Sequence, residues 1–104
     1  MQFFDCNAFF GLPAQRPLAP VATVDSLLAE MDRAGVDRAL VWHIAQHDVA
    51  PQTGNGMLTE AIAGQDRLYG CWTMLPNQAN EFPKPAILLR EMQRARVVAL
   101  RVFP

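Results

Sequence analysis

Apolar and polar positions along the chain alternate between a strand-like and a helix-like rhythm. Phe3 and Phe4, within Gln2 to Asp5, predict a short first strand. Gly11, Pro13, Pro17 and Pro20 then predict a long irregular loop, because prolines lack a ladder donor and restrict the residues before them. Leu27, Leu28, Met31 and Ala34 recur at helical spacing, with Glu30, Asp32 and Arg33 on the solvent side. Thr23 supplies an N-cap, Asp25 sits at the positive end of the helix dipole, and Gly35 provides the stop. Ala39 to Ile44 form an apolar run without clean alternation, the pattern of a parallel strand covered on both faces.

The second half repeats the scheme. Asp48 to Gly56, with Pro51, Gly54 and Gly56, predicts a turn-rich loop. A short helix is expected over Met57 to Ala63, with Leu58, Ala61 and Ile62 on one side, and Gly64 ends it. Leu68 to Leu75 predict a third strand, broken by Pro76. Pro85 suits the first turn of a third helix over Ala86 to Arg96, and Val97 to Phe103 read as a fourth, β-branched strand. The order β-α-β-α-β-α-β implies an α/β fold with parallel strands and right-handed crossovers. A doubly wound sheet and a (β/α) barrel begin identically, so periodicity leaves both open. Gly11-Leu12-Pro13 matches neither G-x-G-x-x-G nor a P-loop, which argues against a nucleotide site there.

Composition narrows the classes further. Half of the 104 residues (51%) are hydrophobic, enough to offset the entropy of folding. A formal net charge of −1 gives no general electrostatic reason to bind nucleic acid or an anionic membrane, and no such partner is expected. No signal-like or membrane-length apolar run occurs, so a cytoplasmic protein is expected. Cys6 and Cys71 lie in apolar strand-like runs and read as buried, reduced thiols.

The residues at the end of the first strand, Asp5-Cys6-Asn7-Ala8-Phe9-Phe10-Gly11, carry a specific resemblance. The segment resembles the opening of the metal-dependent amidohydrolase family, in its decarboxylase-like branch, whose first strand often ends Asp-x-His-x-His-x-Gly. Asp5 and Gly11 keep register, while Asn7 and Phe9 stand at the two histidine positions. The block Leu27 to Asp37 with Arg38-Ala39-Leu40-Val41, then Asn55, Arg67-Leu68 and Ala99-Leu100-Arg101, is similar to the same family. The resemblance implies a parallel (β/α) TIM-type barrel, of which residues 1–104 form a single domain and about the first half. A full barrel takes about 250 residues, so the chain is expected to be a truncated, N-terminal part.

The resemblance also implies an amidohydrolase-like hydrolase or decarboxylase acting on a small carboxylated or cyclic substrate through a divalent, zinc-like metal. Amide oxygen is a weak ligand and phenyl donates nothing, so Asn7 and Phe9 put that chemistry in question. Asp5 is the remaining candidate metal ligand; capping of neighbouring backbone amides is its structural alternative. His43, near the carboxyl end of the second strand, is the candidate catalytic acid or base, against a half-buried histidine held by backbone. His43 and His47 are four apart, but no Glu follows His43, so H-E-x-x-H is not met. Asn7 and Arg101 are the candidate substrate-binding residues: an arginine in an apolar strand needs a polar cavity, a carboxylate partner or an interface. The competing expectation is a non-catalytic half-barrel, a small-molecule binding or self-associating module, since raw parallel edges favour a homo-oligomer.

Overall fold

The computed structural model describes residues 1–13, 21–74 and 84–102. Within them the elements are β1 (Phe4–Phe10), α1 (Val24–Ala34), β2 (Arg38–His43), α2 (Ala45–Asp48), α3 (Pro51–Ile62), β3 (Leu68–Thr73), α4 (Pro85–Ala95) and β4 (Val97–Arg101). The expected α/β alternation is present. Four strands form one sheet in the unreversed order β1-β2-β3-β4, and each neighbouring pair is parallel. Pro17, Pro20, Leu75, Pro76 and Phe103 fall outside the described residues.

The first helix forms where its signals predict. The Thr23 hydroxyl accepts the Ser26 N–H at 3.1 Å, satisfying one orphan donor of the first turn. Gly35 closes the other end at φ 76°, a left-handed position that costs glycine nothing. Arg67 locks this corner to β3: its guanidinium donates to the carbonyls of Val36 and Asp37 and to the Asp32 carboxylate, all within 2.9 Å.

One face of the sheet is covered by helices. Ala39 and Val41 of β2 and Leu68 of β3 have no exposed surface and pack with Leu27 and Met31 of α1 and Leu58 and Ile62 of α3. Each large side chain buried in this way contributes about 1.5–3 kcal/mol. Gly70 allows the close approach of α3 and β4, since a Cβ there would stand 2.9 Å from Val97 and 3.1 Å from Ile62. The opposite face, carrying Leu40 and Trp42 of β2, is only half-buried. The expectation that β2 is covered on both faces is therefore corrected. Among the described residues no helix is long and apolar enough to cross a membrane.

Three further features differ from the sequence pattern. The first strand runs to Phe10 rather than stopping at Asp5. Its poor strand formers are absorbed by a bulge between Asp5 and Ala8, where Cys6 and Asn7 together oppose Leu40, and the Asp5 carboxylate accepts the Asn7 N–H at 2.9 Å. The region expected as a loop, Asp48 to Gly56, is largely helical, with α2 before it and Pro51 at the start of α3. Gly54 and Gly56 lie inside that helix, and Gly54 is held against the Gln46 backbone so closely that no side chain fits. Finally, Cys6 is exposed while Cys71 is buried, and both are free thiols. They stand on β1 and β3 with β2 between, about 9.5 Å apart at strand spacing, beyond the reach of a disulfide.

Candidate functional site

The uncovered face of the sheet holds a polar and aromatic cluster at the carboxyl ends of the strands. In a strand, side chains two apart share a face, so Asn7 and Phe9 project together despite the bulge. Both meet Trp42: the Asn7 side-chain oxygen accepts the indole N–H at 3.2 Å, and the Phe9 ring lies 5.0 Å from the indole, tilted by 35°. From β4, Arg101 lays its guanidinium over the same indole, with Cζ 4.5 Å from the ring centroid. A cation over Trp at this distance gains about 0.5–1 kcal/mol or more. Trp42 thus bridges β1 and β4, and β3 contributes only the small Cys71 between them. The hollow they leave measures about 270 Å³ and is lined by Cys6, Asn7, Leu40, Trp42, Cys71 and Arg101, among others.

Its electrostatics follow from that lining. Burial pushes the Cys71 thiol up from its ordinary range, and the nearby Arg101 cation partly opposes the shift. A guanidinium carries its N–H donors in its own plane, the geometry that reads a carboxylate in bidentate fashion.

His43 stands on the other face. It neighbours Trp42 in β2, and the strand period sends it toward the helices, where its ring meets Phe10 edge-on at 4.9 Å. Nδ1 accepts the Ala45 N–H at 3.0 Å, at the start of α2. Burial lowers its pKa, so the ring is held neutral with its proton on Nε2. It borders a cleft of about 490 Å³ between α1 and α3, shared with Thr23, Asp25 and Glu60. The sheet separates this cleft from Asn7 and Arg101. The candidate catalytic residue and the two candidate substrate-binding residues are therefore not brought together.

A buried polar network ties the strand ends beside His43. The Gln46 amide donates to the Asn55 side-chain oxygen at 2.8 Å and to the Cys71 carbonyl at 2.9 Å, while its oxygen accepts the His43 N–H at 3.2 Å. Asn55 in turn accepts the Thr73 N–H at 2.8 Å and donates to the Thr73 carbonyl at 2.9 Å. One side-chain amide thereby imitates the next strand residue, extending the ladder of β3 by a step. The Thr73 hydroxyl, fully buried, has no hydrogen-bond partner among the described residues.

The metal implied by the amidohydrolase resemblance does not fit these side chains. Asp5 accepts the backbone N–H of Asn7, the amide oxygen of Asn7 is engaged by Trp42, and Phe9 offers no donor atom. Among the described residues no group of three or more His, Cys, Asp or Glu side chains converges as a metal site would require. Sequence reasoning placed Asn7 and Arg101 but missed Trp42, which joins them, and Gln46, which fixes the strand ends. The period of two along β2 carried the signal for Trp42, since it puts Trp42 with Leu40 and apart from His43.

Compared with known proteins, the chain matches no protein-family model, no curated protein and no solved structure.

Proposed function

We propose that the chain is one half of a parallel (β/α) barrel, similar to the amidohydrolases in its opening strand, and that its uncovered strand ends bind a small planar carboxylate. The observation that carries this reading is the Arg101 guanidinium carbon held 4.5 Å from the Trp42 ring centroid, beside Asn7 on the open face. The unreversed strand order supports a barrel, because a doubly wound sheet reverses direction after its first strands. Barrel sites lie at the carboxyl ends of strands, and Asn7, Trp42 and Arg101 are grouped there. Trp42 supplies an apolar platform, Arg101 the cation, and Asn7 an amide that fixes the platform and borders the ligand. The cluster supports binding, and among the described residues no group of three or more His, Cys, Asp or Glu side chains offers a donor set for metal-activated water. The free Cys6 thiol fits a reducing cytoplasm.

Benzoate titration followed through the two indole N–H resonances tests the proposal. The Trp42 indole N–H, bonded to Asn7, should shift saturably, while that of Trp72, bonded to Thr59 at 3.0 Å, should not. Neutral benzamide should fail, and Arg101→Met should weaken benzoate by roughly 10- to 100-fold, the worth of a charge-assisted hydrogen bond. Equal binding by Arg101→Met, or no movement of the Trp42 resonance, would refute it.

A further inference from the structure

We infer that two copies of this chain close into one eight-stranded parallel barrel, with β4 of each copy pairing against β1 of the other. The inference rests on the barrel reading above and names what covers the open face. Because all four strands point the same way in unreversed order, β1 and β4 present opposite sides of the same ladder. A twofold axis along the barrel brings β4 of one copy beside β1 of the next in parallel register, twice, and leaves no edge. Eight is the number at which a parallel barrel is just filled by its own side chains.

Three observations favour a second copy over an open sheet. First, β1 and β4 contain neither Lys nor Pro, and they expose Phe4 (53%) and Val98 (61%). Second, each outer ladder carries a bulge, at Cys6 and Asn7 in β1 and at Val98 in β4. Bulges curl a sheet, which closure demands. Third, the open face offers Phe4, Leu40, Trp42 and Tyr69 as filling for an interior. Strands of this length make a face of roughly 19 by 20 Å, about 400 Å² in flat projection. Side-chain relief and the two edges add to it, toward the ~800 Å² per partner of a stable interface.

Closure also completes the binding site. In one copy the Asn7, Trp42 and Arg101 cluster has a wall on one side only; in the closed barrel two such clusters face one another across a shared mouth. Cys6, exposed on the open face of one copy, becomes an interior thiol.

Sedimentation equilibrium at micromolar and higher concentration should give twice the 11.6 kDa of the chain. Phe4→Lys and Leu100→Lys, both at exposed edge positions, should yield monomers with unchanged helical circular dichroism. Leu89→Lys, on the exposed side of α4, should leave the dimer intact. Cys6 should resist thiol labelling in the dimer and react on dilution or in Leu100→Lys. A mass of 11.6 kDa at high concentration, a dimer broken only by Leu89→Lys, or Cys6 labelling independent of concentration overturns the inference. A monomer that joins only β/α units of a different polypeptide overturns it as well. Benzoate binding by a monomer would sink the dimer alone, and a dimer blind to benzoate would sink the ligand reading alone.

Discussion

Gly54 and Gly56 lie two residues apart in the same helix, and the same substitution at each should move stability in opposite directions. A Cβ at Gly54 would overlap the backbone nitrogen and Cα of Gln46, which belong to main chain and cannot swing aside. Relief requires α2 and α3 to part, and overpacking of this kind costs about 1–3 kcal/mol. The parting also stretches the bonds from Gln46 to Asn55 and to the Cys71 carbonyl, now 2.8 and 2.9 Å. Leaving one such buried group unpaired adds about 1–3 kcal/mol. Against this stands the gain of about 1 kcal/mol for replacing a mid-helix glycine with alanine. Gly54→Ala should therefore lose roughly 1–5 kcal/mol in total, at its upper end a large share of the 5–15 kcal/mol that typically holds a domain. At Gly56 nothing lies within 4 Å of the added Cβ, so Gly56→Ala should gain about 0.5–1 kcal/mol. Urea unfolding followed by circular dichroism, at one fixed protein concentration, measures both. If Gly54→Ala were as stable as the parent, or if the two variants lost stability equally, the packing of α2 on α3 described above would be wrong.

Other expectations follow from the same geometry. Asn55→Ala removes both bonds to Thr73 and one from Gln46, so it should cost about 2–4 kcal/mol, and the Thr73 amide should lose its protection from hydrogen exchange. Burial depresses the His43 pKa in the folded chain, so its neutral form stabilises the fold above the unfolded value near 6.5. That stability should drain away as pH falls from about 6.5 toward the lower folded pKa, and His43→Gln should flatten the slope of urea midpoint against pH in that window. Arg67→Lys should lose about 1–2 kcal/mol by thermal unfolding, because an ammonium cannot reach Val36, Asp37 and Asp32 together as the guanidinium fork does.

The order of elements was readable because apolar periodicity and punctuation agreed along most of the chain. Thr23 and Gly35 bounded α1 as their chemistry predicts, and Pro85 opened α4. The miss at Asp48 to Gly56 has a definite origin. Two glycines in a short window signal a loop, yet Gly54 is there because α2 approaches the α3 backbone, a contact made by residues outside the helix being read. Propensity is local, and tertiary approach overrode it. The end of β1 was misjudged for a related reason: Asp5 and Asn7 are poor strand formers, and only pairing with β2 through a bulge keeps them in the sheet. Of the site, Arg101 was legible as a charged residue in an apolar strand, while Asn7 stood out only by its register with a histidine position of the resembled motif. The bridge through Trp42 was not, because its indole reaches across a neighbouring strand whose distance no sequence pattern gives.

The two halves of the candidate chemistry divide by face, and the division constrains what the site can do. Trp42 and His43 are adjacent in sequence, yet the strand period puts one on the open face and the other under the helices. His43 spends Nδ1 on the first amide of α2, while Gln46 of that helix holds the His43 N–H and, through Asn55, the end of β3. Thr73, gripped by Asn55, is the register partner of Arg101. The helical side therefore acts on the open side through position: the His43, Gln46 and Asn55 network sets the height of β3, and β3 sets where Arg101 meets Trp42. A ligand seated on Trp42 and Arg101 would feel a change at Asn55 as a displaced cation, with no contact between them. Proton transfer by His43 to such a ligand would require passage through the sheet, so in the proposed binding role His43, Gln46 and Asn55 act on the open face through position and not through proton exchange.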